Sequence, residues 1–90
     1  MIFQNFKRWY RLQHHPLKCA VCDTFFNLEF HHIQPVALFP KLECVESNIV
    51  ILCRSHHFHI GHLGDWTNYN SNILIDIERY RTAKFDSFEI

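Results

Sequence analysis

Two pairs of cysteine and histidine residues, each with two residues between its members, constrain this chain more than any other feature. They are Cys19-x-x-Cys22 and Cys53-x-x-His56, and 30 residues separate the two pairs. Such spacing lets one tight turn offer both ligands to a single ion, and four thiolate or imidazole ligands form the usual tetrahedral site of structural zinc. A 90-residue chain buries only about 60–65% of its unfolded surface, so a metal staple is expected to stabilise it. We therefore expect a zinc site formed by Cys19, Cys22, Cys53 and His56.

The remaining cysteine leaves one alternative open. Cys44 is interpreted as a small apolar side chain of the interior, and the alternative is that it replaces His56 as the fourth zinc ligand. A fully coordinated zinc ion has no open position, so it is expected to hold the fold together without contacting a substrate.

The composition is that of a folded domain in a reducing compartment. Phe, Ile, Leu and Val supply 30 of the 90 residues, which excludes a disordered chain. The longest apolar run covers residues 49–53, far below the roughly 20 residues that span a bilayer. The first residues lack a signal-peptide core, and the cysteine spacing favours metal over disulfides. These features predict a soluble, cytoplasmic protein with no membrane contact.

The charged residues are balanced in number but not in position. Nine basic and nine acidic residues cancel, which argues against a surface that binds nucleic acid over its whole extent. Residues 1–22 nevertheless contain Lys7, Arg8, Arg11 and Lys18 with no acidic residue. One end of the molecule is therefore a candidate for contact with phosphates; the alternative is that these residues form the solvated face of a helix.

Residue patterns along the chain predict an α+β fold. Phe3, Phe6 and Tyr10 favour an amphipathic helix over residues 3–13, which Pro16 ends. Residues 17–23 form a knuckle around the first cysteines, residues 25–33 favour a strand, and residues 34–48 a loop. Residues 49–52 are either a buried strand or the lead into a helix, and a helix is expected from Arg54 to Gly61 or Gly64. A last helix over 72–84 is expected to pack on the core through one stripe: Ile73, Leu74, Ile77 and Tyr80.

Three further motifs lie within this framework. They are His31-His32-Ile33-x-Pro35, Asn48 directly before the apolar run, and Leu52-Cys53-x-x-His56-His57. At these residues, over roughly positions 17–70, the chain resembles the HNH nucleases, although His56 stands where that family usually has a cysteine. The resemblance implies a single domain with a ββα-metal fold: an N-terminal helix over 1–16, a zinc-framed core over 17–66 and a C-terminal helix over 67–90.

The resemblance also implies catalytic roles. His31 and His57 would hold a divalent ion, Mg²⁺ or alternatively Mn²⁺, Ni²⁺ or Co²⁺, and His32 would be the general base. Asn48 would tie the loop or orient the base without doing chemistry itself. The family's further histidine corresponds to Gly61 here. His62, one residue later, lies about 140° from His57 around an ideal helix and would reach the ion only if the helix ended or distorted near Gly61. His59 is the alternative ligand.

The implied reaction is hydrolysis of DNA phosphodiester bonds, in a bacterial or phage-infected cell. Arg54 would clamp a phosphate oxygen or, alternatively, only cover the zinc knuckle. Double-stranded DNA is the expected partner, together with a phage terminase or another protein. Two other functions remain open: a zinc-stapled nucleic-acid-binding module without chemistry, and an accessory subunit for phage DNA packaging. His14, His15 and His59 are interpreted as ordinary histidines, and Trp66 and Tyr69 as packing residues.

Overall fold

The computed structural model describes the backbone of residues 1–86 and the side chains of residues 1–83. Helix α1 covers Phe3–Gln13, strand β1 Leu28–His32 and strand β2 Ile49–Cys53. β2 continues directly into helix α2, Arg54–His56, which is followed by a π-helical turn, His57–Gly61. Helix α3 covers Ile73–Asp86, and the loop between the strands contains two short 3₁₀ turns, Pro40–Leu42 and Glu46–Asn48. The predicted α+β class is confirmed.

The two strands form an antiparallel hairpin that lies between two apolar cores. His31 pairs with Val50 and His32 pairs with Ile49. Because successive strand residues point to opposite faces, β2 contributes to both cores. Ile49 and Ile51 pack with α1 through Phe6 and Tyr10. The other core joins the knuckle, the π-helical turn and α3, and its buried members are Cys19, Val21, Leu52, Cys53, Ile60, Ile73 and Ile77.

The structure refines three predictions about the strands and helices. The alternatives for residues 49–52 resolve to a strand, since this segment pairs fully with β1. The first strand is shorter than the predicted 25–33, because Phe25 and Phe26 lie exposed in a bend before it begins. The helix from Arg54 reaches Gly61 as predicted, but only its first three residues are α-helical.

The predicted packing stripe of the last helix is half wrong. Ile73 and Ile77 are buried, whereas Leu74 and Tyr80 are more than half exposed. The buried residues Ile73 and Ile77 are four apart, and Arg81, four residues further on and only partly buried, contacts the knuckle through its side chain. Residues four apart lie on the same face of a helix, so a single line of side chains packs α3 against the core. Of the predicted C-terminal helical segment, residues 67–72 precede α3 and residues 87–90 lie outside the described part of the chain.

Among residues 1–86, no helix is long and apolar enough to cross a membrane.

Candidate functional site

The four residues of the predicted zinc site meet in the structure. The ligand atoms of Cys19, Cys22, Cys53 and His56 all lie within 4.8 Å of one another. Their measured separations are 3.9 Å between the Cys22 and Cys53 sulfurs, and 3.6 and 3.3 Å from His56 Nδ1 to the Cys19 and Cys53 sulfurs. Zinc–ligand bonds of about 2.3 Å to sulfur and 2.0 Å to nitrogen give a tetrahedron with edges of about 3.5–3.8 Å. The Cys₃His cluster is therefore compatible with a zinc ion.

Hydrogen bonds within the knuckle stabilise the thiolate form of Cys19. Burial raises the pKa of Cys19, but the backbone N–H groups of Cys53, Cys22 and Val21 and the His56 ring outweigh it and lower the pKa to about 6. Burial and the neighbouring Cys19 raise the pKa of Cys22. Between Cys19 and Cys22, the negative charge therefore forms first at Cys19, the more buried of the two residues, and a bound cation would stabilise the thiolate of Cys22.

Cys44 lies outside the Cys₃His cluster, which supports His56 as the fourth member. Its half-buried side chain packs beside the α1 core, and its thiol donates to the Met1 carbonyl at 3.4 Å. The interpretation of Cys44 as a small, partly buried apolar residue agrees with this position.

Arg81 joins α3 to the knuckle, a contact that the sequence did not reveal. Its Nη1 donates to the carbonyls of Ala20 and Val21 at 3.0 and 3.2 Å, and both terminal nitrogens contact the Asp23 carboxylate. Hydrogen bonding from Arg81 lowers the pKa of Asp23. The Arg81 guanidinium therefore links α3 to the turn that contains Cys19 and Cys22.

A second group of ligand atoms comes from β1 and from the segment that follows α2. His31 of β1, His57 at the start of the π-helical turn and His62 just after it bring their ligand atoms within 4.8 Å of one another. We call these three residues the histidine cluster. The π-helical turn is what places His62 there: the His62 N–H donates to the His57 carbonyl, five residues back, at 3.1 Å. This wider turn is the distortion near Gly61 that the sequence required for His62 to join the site.

The protons of two cluster rings are fixed by their neighbours. His57 Nδ1 is 2.8 Å from Glu29 Oε1, and His62 Nδ1 is 2.7 Å from the Asn68 carbonyl. Both partners are acceptors, so each Nδ1 carries the hydrogen when its ring is neutral. The two Nε2 atoms then face each other as lone pairs at 3.2 Å. Two facing lone pairs repel, and a cation bound to both removes the repulsion.

His31 completes the cluster from the interior. It is 2% exposed, and its buried Nε2 has no hydrogen-bond partner among the described residues. Burial, with smaller contributions from the other cluster rings, lowers the pKa of His31 to about 3, so its ring is neutral at physiological pH. An unpaired buried nitrogen costs free energy unless something binds it. Three imidazole rings with available nitrogens suit a borderline divalent metal such as Zn²⁺, Ni²⁺ or Co²⁺, and this donor set fits a second ion.

His32 lies beside the cluster and lines the same cavity, which has a volume of about 290 Å³. Its Nε2 is 2.9 Å from the Glu43 carbonyl, which can only accept, so the neutral ring carries its hydrogen on Nε2. Nδ1 is then the proton acceptor of the ring. The Phe3 ring, 5.0 Å away between centroids, packs against the imidazole and limits its rotation.

Asn48 ties the loop between the strands. Its Oδ1 accepts from the Gln34 N–H at 2.8 Å, and its Nδ2 donates to the carbonyls of Gln34 and Leu42. Leu42 precedes Glu43, whose carbonyl holds the His32 ring. Asn48 is 6% exposed, so its amide fixes the loop and, through it, the orientation of His32.

Glu29 is the functional candidate that the sequence reasoning missed. It lies two residues before His31 on β1, so both side chains point to the same face. Its carboxylate contacts His57 through one oxygen and Arg54 Nη1, at 3.1 Å, through the other. The alternation Glu29-x-His31 was the available signal. Arg54 thus pairs with Glu29, and its guanidinium also lies over the Trp66 ring at 5.8 Å.

Trp66 packs against neighbouring aromatic rings, in agreement with its interpretation as a packing residue, whereas Tyr69 makes no such stacking contact among the described residues. Trp66 is 47% exposed, and its ring lies 5.3 and 5.0 Å from those of His57 and His62. Tyr69 is also partly exposed and lines the cavity of the histidine cluster. Both residues therefore border the site from the segment after the π-helical turn.

Three further histidines, His14, His15 and His59, are not members of the histidine cluster. His59 is exposed, and His62 rather than His59 joins the cluster. His14 stacks on Tyr10 and contacts Glu46 Oε1 at 2.7 Å, and His15 is exposed. These positions agree with their interpretation as ordinary histidines.

Comparison with known proteins gives no relative: no protein family matches the chain, and no curated protein or solved structure matches it significantly.

Proposed function

We propose that this protein is a metal-dependent endonuclease of the HNH type that hydrolyses DNA phosphodiester bonds. One observation carries the proposal. His31, His57 and His62 bring their ligand nitrogens together around one point, and His32, whose Nδ1 is the proton acceptor of the neutral ring, lines the same cavity. Nuclease chemistry needs these two elements together, a cation at the phosphate and a base beside it.

The ββα-metal fold is part of this proposal. An antiparallel hairpin leads without a break into a helical segment, and the histidine cluster takes one member from the hairpin and one from that segment. The Cys₃His cluster lies at the junction, with Cys53 ending β2 and His56 directly before His57. We infer that it holds a structural zinc ion, which would fix where the helical segment begins and so where His57 points.

A divalent ion held by the histidine cluster would supply positive charge to the scissile phosphate and to the departing 3′ oxygen. The residues around the cluster keep its ligands in place. Glu29 and the Asn68 carbonyl hold the Nδ1 protons of His57 and His62, which keeps both Nε2 lone pairs directed at the ion. Trp66 covers these two rings from the solvent side.

His32 is the proposed general base. The Glu43 carbonyl holds the ring hydrogen on Nε2, so Nδ1 can take a proton from the attacking water. A neutral imidazole suits this step at physiological pH. Arg54 remains a proposed phosphate contact, since its side chain is 70% exposed and only its Nη1 contacts Glu29.

Plasmid nicking in a series of divalent ions tests the proposal. His32→Ala is expected to lower cleavage by about 10²–10⁴-fold, the usual contribution of a general base. The matched control is His59→Ala, which removes an exposed imidazole outside the cluster and is expected to cleave normally. Circular dichroism and zinc content should be the same in both variants. Full activity in His32→Ala would exclude His32 as the base, and no cleavage by the wild type with any ion would reject the nuclease function.

The second candidate, a nucleic-acid-binding module without chemistry, is supported by the basic residues of α1. It predicts DNA binding that decreases with salt and no cleavage with any divalent ion. The same plasmid assay, run beside a binding measurement, therefore separates the two functions.

A further inference from the structure

The basic residues of α1 form one continuous strip beside its buried face. At about 100° per residue, Lys7, Arg8 and Arg11 span an arc of about 100°. This arc adjoins the apolar arc through which Phe6 and Tyr10 enter the core. Lys7 and Arg11 are four residues apart and so are neighbours on the helix surface. The strip therefore presents three cations along one side of α1 at the edge of the hairpin.

Two aromatic contacts connect this strip to the cavity of the histidine cluster. Lys7 Nζ lies 5.1 Å from the centroid of the Phe3 ring, and that ring packs on His32. The Arg11 guanidinium lies 5.1 Å from the centroid of Phe30, which lines the cavity. Arg11 thus contacts a ring that lines the cavity, and Lys7 contacts a ring that packs on His32, which also lines the cavity.

No described carboxylate neutralises the charge of the strip. Among the described residues, none of Lys7, Arg8 and Arg11 forms an ion pair, whereas Arg54, Arg79 and Arg81 each contact a carboxylate. Glu46, which lies near the end of α1, contacts His14 instead. Lys7 and Arg11 lie over aromatic rings, which orient a cation without cancelling its charge. Such cations remain available to an anionic partner.

We propose that this strip of α1, Lys7, Arg8 and Arg11, binds the phosphate backbone of duplex DNA next to the bond that is cut. The inference rests on the proposed nuclease function for its substrate and adds the surface that carries the substrate. From Lys7 to Arg11 the helix rises about 6 Å, and successive phosphates of one DNA strand are about 3.4 Å apart along the duplex axis. The length of the strip therefore fits consecutive phosphates better than it fits a single small anion. Contacts of this kind position the duplex without reading its sequence.

The test measures binding of a fluorescent duplex to the full chain by anisotropy, with no divalent ion added, at several salt concentrations. Arg8→Gln combined with Arg11→Gln is expected to weaken binding about tenfold at low salt. It should also reduce the slope of log K against log[salt] by about 2, one for each lost phosphate contact. The matched control combines Lys41→Gln with Arg79→Gln, which removes two positive charges elsewhere and is expected to leave the slope unchanged.

The outcomes separate this inference from the nuclease proposal. Equal affinity losses in the two double variants would overturn the inference, because net charge rather than the strip would then control binding. An unchanged slope in the α1 variant would also overturn it. Absence of plasmid cleavage in the wild type, together with a reduced slope in the α1 variant, would reject the nuclease function and leave the strip as the DNA-binding surface. Circular dichroism of each variant establishes that the losses do not come from unfolding.

Discussion

The imidazole of His31 lies directly against Gly61. A Cβ atom at position 61 would lie 3.0 Å from His31 Nδ1 and 3.2 Å from His57 Cδ2, closer than ordinary van der Waals contact. Gly61 occupies the position that corresponds to a further histidine in the HNH resemblance. Because glycine has no side chain, the rings of His31 and His57 can approach the backbone at this position. The wide turn then brings in His62 one residue later.

Gly61→Ala is expected to displace the His31 and His57 rings and to weaken binding of Ni²⁺ or Co²⁺ at the histidine cluster by at least about tenfold. The measurement is isothermal titration of the zinc-loaded protein. Gly64→Ala is the control: its φ of +79° makes alanine strained, but no atom lies within 4 Å of the added Cβ. It should therefore lower thermal stability and leave metal affinity unchanged. Equal metal affinity in wild type and Gly61→Ala would contradict the packing argument.

Glu29→Ala is expected to reduce metal affinity or cleavage by about 10–100-fold, because it removes the acceptor that fixes the His57 Nδ1 proton. Glu29→Gln keeps a carbonyl acceptor and should recover part of the loss. Titration with Mn²⁺ or Ni²⁺ measures the effect. Glu46→Gln, which alters a carboxylate that contacts only His14 among the ion pairs described, serves as the control. A Glu29→Ala protein with normal affinity would show that the carboxylate does not position His57.

Cys53→Ser is expected to abolish binding of the zinc ion proposed for the Cys₃His cluster and, with it, cooperative folding, since the Cys₃His cluster joins the knuckle to the end of β2. Cys44→Ser should retain one tightly held zinc ion and unfold at nearly the wild-type temperature. Metal analysis after gel filtration and thermal melts give the two readouts. Loss of zinc from Cys44→Ser would revive the alternative that Cys44 replaces His56.

Arg81→Ala is expected to speed release of zinc to a chelator, because the carbonyls of Ala20 and Val21 and the Asp23 carboxylate lose their shared partner. The surface ion pair with Asp23 is worth little alone, so the two backbone contacts carry most of the effect. Arg79→Ala on the same helix, which removes a 3.9 Å contact with Asp76, should release zinc at the wild-type rate. Identical rates of zinc release in the two variants would show that the Arg81 contacts do not stabilise the knuckle.

The free energy of unfolding, measured with no ion added to the histidine cluster, should fall as pH decreases from 6.5 toward 3. The unfolded chain protonates His31 near pH 6.5, whereas burial lowers its folded pKa to about 3, so the unfolded state binds the extra proton in this window. At pH 5 the loss is up to about 2 kcal/mol relative to neutral pH. Urea unfolding at both pH values measures it. His31→Gln should lose less stability than His59→Gln over this interval; equal losses would show that His31 titrates normally.

The sequence alone determined the local features of this protein. Ligand pairs separated by two residues specify a knuckle regardless of what surrounds it, and so the members of the Cys₃His cluster were predictable. The resemblance to the HNH nucleases likewise implied that Asn48 ties the loop, and its amide hydrogen bonds agree with that role.

Only the tertiary structure decided which distant groups complete each site. The choice of His62 over His59 depends on a π-helical turn, and the Nδ1 protons of His57 and His62 depend on Glu29 and Asn68. The contact of Arg81 with the knuckle spans about 60 residues of chain. Spacing along a sequence carries no information on such contacts, because hydrogen bonds between distant segments form only where packing of the whole chain brings donor and acceptor together.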